Sequence, residues 1–122
     1  MTKLGPVKDR VIEQAFSSGF ASMTEQDRVF FLLWSYMAMV ENGGFPAFFY
    51  NSTGEYYEET TGALRTVGLA EHALLLERAA VLNGLEEEAE TDLAFDALYQ
   101  QFVDAGGSDR VLGVLQAWYF RR

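Results

Sequence analysis

Carboxylates are the first side chains in this 122-residue sequence with the type and spacing to do chemistry. Glu55 and Glu59 stand four apart, and Asp92, Asp96 and Asp104 recur at helical spacing, on a face read as opposite the aromatic stripe of their helix. General acid–base catalysis or a Mg²⁺ site needs two acids converging in one pocket, whereas helical spacing alone sets them parallel on a solvated face. His72 is the only histidine and cysteine is absent, so one chain offers neither a thiolate nor a pair of imidazoles to a metal. No Glu precedes His72 by three residues, and Leu76 occupies the place of a second helical ligand. His72 therefore reads as an ordinary helix-side histidine. Asn51-Ser52-Thr53 matches the glycosylation acceptor pattern, but its expected work is a hydrogen-bonded turn. There is no Gly-x-Ser-x-Gly elbow, no Gly-x-x-x-x-Gly-Lys phosphate loop and no Gly-x-Gly-x-x-Gly after a strand. No catalytic residue, metal or cofactor is expected, and the chain reads as a non-enzyme.

Composition narrows the class further. With 49% hydrophobic and 15% aromatic residues the chain can bury a core, and its length suits one domain over residues 1–122. The formal charge of -9 disfavours direct contact with a nucleic-acid backbone or an anionic membrane. The first ten residues carry Lys3, Lys8, Asp9 and Arg10 with no apolar segment after them, unlike a signal peptide. Val29 to Val40 is apolar except for Ser35, yet it falls well short of the roughly 20 residues a membrane-crossing helix needs. A cytoplasmic location is the expectation, consistent with the lack of cysteine.

The elements that must position these residues are helices. Pro6 suits a first turn, Val11, Ile12, Ala15 and Phe16 make an apolar stripe, and Gly19 closes a helix near residues 6–18. Thr24 is an N-cap with Glu25 and Asp27 in the first turn, opening a central helix that Asn42-Gly43-Gly44 is expected to end near residue 41. Phe30, Leu33, Trp34, Met37 and Leu64 are expected in one core. Glu58 to Val67 predicts a helix ending at Gly68, and Leu69, Ala73, Leu76 and Ala80 make the stripe of the next one. Phe95, Leu98, Tyr99 and Phe102 repeat the spacing, and Ser108 is placed to cap a last helix with Val111, Val114, Leu115 and Trp118 inside. The absence of a convincing period-2 pattern makes the class all-α, with about five to seven helices.

Six of the thirteen residues from Phe45 to Tyr57 are aromatic, and the segment from Asn42 to Gly54 is the most distinctive in the chain. Asn42-Gly43-Gly44-Phe45 ends a long apolar helix. The pair Phe48-Phe49, then Asn51-Ser52-Thr53-Gly54, then Ala63-Leu64-Arg65-Thr66-Val67-Gly68 follow it. In order and spacing, over roughly residues 26–83, this resembles the bacterial DNA-mimic protein family called DMP-nineteen. Pro46 and Ala47 stand where that family commonly has an acid and a glutamine, removing polar side chains there, and Thr53 replaces a usual serine. The resemblance implies an all-helical, acidic, often dimeric bacterial protein that imitates the charge of duplex DNA and so occupies a DNA-binding protein. The motif itself reads as architecture: Gly43 and Gly44 permit a tight exit, Phe45, Phe48 and Phe49 fill the core, and Asn51 bonds its own turn.

Charge is distributed unevenly. Residues 55–109 hold thirteen acids and two bases, a net of -11, while the remainder nets +2. Glu55, Glu58, Glu59, Glu86, Glu87, Glu88, Glu90, Asp92 and Asp96 are the candidate partner-binding acids, whether the partner is a transcription factor, a histone-like protein or another basic protein. A second reading makes the chain an immunity- or antitoxin-like neutraliser of one particular protein. A third leaves the acids as a solubilising surface.

Overall fold

A helix that is apolar on every side has to be covered on every side, and the run from Val29 to Val40 is. The computed structural model describes residues 4–85 and 89–121, and among these the architecture is all-α with six helices and no strand. They are α1 (Leu4–Ser17), α2 (Glu25–Tyr50), α3 (Tyr57–Thr66), α4 (Ala70–Asn83), α5 (Ala89–Asp104) and α6 (Gly107–Tyr119). Short 3₁₀ turns lie at Phe20–Ser22 and Ser52–Tyr56. Every other helix packs on α2, which buries Val29, Phe30, Leu32, Leu33, Tyr36, Met37 and Val40 among them. Leu64 joins the same core, and Trp34 packs against its edge, partly exposed. None of the helices among the described residues is long and apolar enough to cross a membrane.

Thr24 caps α2 as its side chain predicts, accepting the Asp27 backbone N–H at 3.1 Å. The other end of α2 departs from expectation. The helix does not stop at Asn42-Gly43-Gly44 but breaks there and resumes to Tyr50. Gly44, at φ 72° and ψ -174°, redirects the chain, and Pro46 then occupies the first turn of the resumed segment, where a missing N–H leaves no bond unmade. The turn that follows binds the exposed carbonyls at the end of the helix. Asn51 Nδ2 donates to the Ala47 carbonyl at 2.7 Å, and the Thr53 hydroxyl donates to that of Phe48. Gly54 is required by proximity, since a Cβ there would lie 2.9 Å from the Phe49 carbonyl oxygen.

The break turns Phe45 and Phe48 inward, both fully buried, while Phe49 is half-buried at the edge. Phe45, Phe48, Tyr36, His72 and Phe102 form one aromatic cluster with ring centroids 5.2 to 6.4 Å apart. His72 is accordingly more than a helix-side histidine: it is 1% exposed. Its Nε2 lies 3.3 Å from the Ala105 carbonyl, which can only accept, so Nε2 carries the proton and Nδ1 accepts from the Tyr36 hydroxyl at 3.0 Å. Burial lowers the His72 pKa and raises that of Tyr36. At the start of α6 the expected cap is also corrected. Gly106 precedes the helix and Gly107 begins it, so Ser108 is already inside, its Oγ buried and without a hydrogen bond among the described residues.

Candidate functional site

Helix ends attract opposite charge, and most of the candidate acids sit at helix starts, where carboxylates favour the exposed N–H groups. Glu55 lies in the 3₁₀ turn before α3, and Glu58 and Glu59 occupy the first turn of α3. All three are exposed and border one shallow depression with Tyr57. Burial, and after it the charge of Glu77, raises the Tyr57 pKa. Glu90 and Asp92 open α5, Asp96 follows one turn on, and these are exposed too. Glu86, Glu87 and Glu88 lie outside the described residues.

The structure therefore brings Glu55, Glu58 and Glu59 together, and separately Asp92 and Asp96, on helices that each pack against α4 and α2. Among the described acids from Glu55 to Asp109, only Glu77 forms an ion pair, accepting from Arg65 at 2.8 and 3.0 Å. No group of three His, Asp or Glu side chains among the described residues is disposed to hold a metal ion.

Asp92 and Asp96 do not lie opposite the aromatic stripe. At about 100° per residue, Tyr99 falls nearly above Asp92, so acids and rings share one side of α5 while Leu98 and Phe102 point to the core. That side faces the break in α2 across an open groove of about 580 Å³, walled by Glu41, Gly43, Pro46, Asp92, Phe95, Asp96 and Tyr99. The Tyr99 hydroxyl donates to Glu41 Oε1 at 3.4 Å across it. Neither Glu41 nor Tyr99 stands out as a site residue in the sequence, because 58 positions separate them. The glycines and Asn42 of the motif line the groove, whereas Phe45 and Phe48 lie beneath it in the core and Asn51 and Gly54 build the turn beyond.

A different acid anchors the opposite part of the fold. Asp27 is buried, and Arg10 of α1 donates to both its oxygens, at 2.8 and 3.1 Å. The Tyr119 hydroxyl of α6 donates to the same carboxylate at 2.6 Å. Hydrogen bonds from Arg10 hold the Asp27 carboxyl below the usual carboxylate range against the opposing effect of burial. Burial, reinforced by Asp27, raises the Tyr119 pKa. Here charge is consumed within the fold.

No curated protein and no solved structure matches the chain. A family model described as DMP19-like protein matches residues 21–121, from the turn before α2 to the end of α6, and the chain belongs to this family.

Proposed function

We propose that this chain is an acidic protein-binding module that takes the place of DNA on a basic DNA-binding protein and blocks its access to the duplex. The observation that carries this reading is the uncompensated charge of α3 to α5: Glu55, Glu58, Glu59, Glu90, Asp92 and Asp96 are exposed, and no cation pairs with them among the described residues. Duplex DNA presents about one negative charge per 1.7 Å of its axis, and a protein built to grip it carries matching cations. Carboxylates left unpaired on a rigid helical frame are available to those cations. The role requires no catalytic step.

The experiment is a retention assay followed by competition. Immobilised protein should retain a basic DNA-binding protein at low salt and release it as the Debye length shrinks from about 10 Å at 0.1 M to about 3 Å at 1 M. Duplex DNA should displace the same partner. A partner without affinity for DNA, or one that binds DNA and this protein together, removes the mimic reading and favours a dedicated neutraliser.

A further inference from the structure

We propose that the groove between the break in α2 and helix α5 is a socket for one arginine side chain of the protein partner, an inference that rests on the acidic surface being protein-binding. Its rim carries three exposed carboxylates, Glu41, Asp92 and Asp96, none ion-paired among the described residues. These acids do not converge on a point that would hold a metal ion. They are set around an opening whose walls include the half-buried rings of Phe95 and Tyr99. An aromatic face attracts a cation, and a flat guanidinium both stacks on a ring and offers paired donors to a carboxylate, which a rounder ammonium does less well.

Two contacts preorganise the socket. Tyr99 is stacked against Phe102 of the core, with centroids 6.0 Å apart and planes at 25°, and its hydroxyl reaches Glu41. Arginine is among the side chains that DNA-binding proteins extend to phosphate, and the one suited to paired bonds with it, so the groove supplies a mimic with a specific contact in addition to diffuse charge.

The test needs no natural partner. The tripeptide acetyl-Gly-Arg-Gly-amide is titrated into the full chain while backbone amide shifts are followed by NMR, alongside the lysine analogue and the neutral, isosteric citrulline analogue. The arginine peptide should move amides of Glu41 to Gly44 and Asp92 to Tyr99, the lysine peptide should bind about two- to fivefold more weakly, and citrulline should leave these amides unmoved. The double variant Asp92→Asn/Asp96→Asn should weaken arginine binding about two- to fivefold per carboxylate, while Glu13→Gln/Glu25→Gln, with the same loss of charge away from the acidic surface, leaves it unchanged. All four positions are exposed, and thermal melts check that both variants stay folded. Shifts spread evenly over α3 to α5, equal weakening by the two double variants, or equal binding of citrulline would each overturn the socket. Those failures leave the DNA-competition result untouched, so the fate of the mimic reading is decided separately.

Discussion

At the junction of α1, α2 and α6, Asp27 is enclosed and bonded by Arg10 and Tyr119. Along α3 and α5, Glu58, Glu59, Asp92 and Asp96 stand in solvent with no cation paired to them among the described residues. Both regions use carboxylates, but different physics holds each in place. A carboxylate taken out of water must find compensating donors, so Asp27 is tied to the fold and its loss is felt as instability. An exposed carboxylate keeps its water and contributes little to stability whether present or absent. Stability therefore does little to account for Glu55, Glu58, Glu59, Glu90, Asp92 and Asp96, and a role outside the fold is the natural place to look.

The largest effect should come at the buried aromatic cluster that α2, α4 and α5 share, apart from either set of carboxylates. Phe45→Ala removes a fully buried ring and should cost about 3 to 5 kcal/mol, read as a fall in the thermal or denaturant midpoint. A variant with an unchanged midpoint that no longer binds a partner would make the motif a recognition site and dissolve the contrast.

Next in size is reversal of exposed charge. Glu58→Lys, Glu59→Lys and Glu90→Lys together move the net charge from -9 to -3. They should slow association with a basic partner by roughly 10- to 100-fold at low salt, while the melting curve stays cooperative and stability falls only by the roughly 1 to 3 kcal/mol that three acids contribute at helix starts. Stopped-flow association rates beside a thermal melt measure both halves of that expectation.

Arg10→Ala tests the opposite pole. It removes both donors from one side of a buried carboxylate, and because Arg10 itself is half in water the cost should be about 2 kcal/mol, below the 3 to 5 typical of a fully buried pair. Partner binding should not change.

The smallest effect is in pH, and its sign differs in origin between the two sites. His72 is buried neutral with a lowered pKa, so the unfolded chain takes up a proton that the folded one refuses as pH falls below about 6.5. Stability should decline gently from there, and His72→Gln should remove that decline. Asp27 also has a lowered pKa, but as an acid: its contribution is complete above the ordinary carboxylate value of about 3.9 and is lost as pH falls through the folded value. Arg10→Ala should flatten that lower limb alone. Thermal midpoints between pH 3 and 8 for the three proteins separate the two windows.

What could be read from the sequence is what acts over a turn or two of helix. The Thr24 cap, the helix before Gly68 and the inward set Phe30, Leu33 and Met37 all follow from neighbours three or four residues apart. Contacts between Asp27 and Tyr119 span 92 positions, and those between Tyr36 and His72 span 36, so no local pattern announces them. Gly43-Gly44 and Pro46 misled for a different reason. Each is compatible with a helix stopping and equally with a helix starting, and only the burial of Phe45 and Phe48 decides that both occur in succession. Candidate acids were easy to find because solvent exposure needs no partner. The groove was not, because half of it comes from α2 and half from α5.

The backbone of Gly44 has a consequence for how freely that groove can vary. Its φ of 72° and ψ of -174° are the mirror image of an ordinary extended residue, near about -72° and 174°. The position is thus shaped for an amino acid of the opposite hand. Space is not the obstacle, since an added Cβ would meet Pro46 Cδ at an unremarkable 3.5 Å. Chirality is the obstacle, and glycine, the one achiral residue a ribosome supplies, is the answer. A D-alanine introduced there by chemical synthesis should sit comfortably where L-alanine is strained. The lip of the groove is fixed by handedness, a constraint that no compensating change in a neighbouring side chain can relieve.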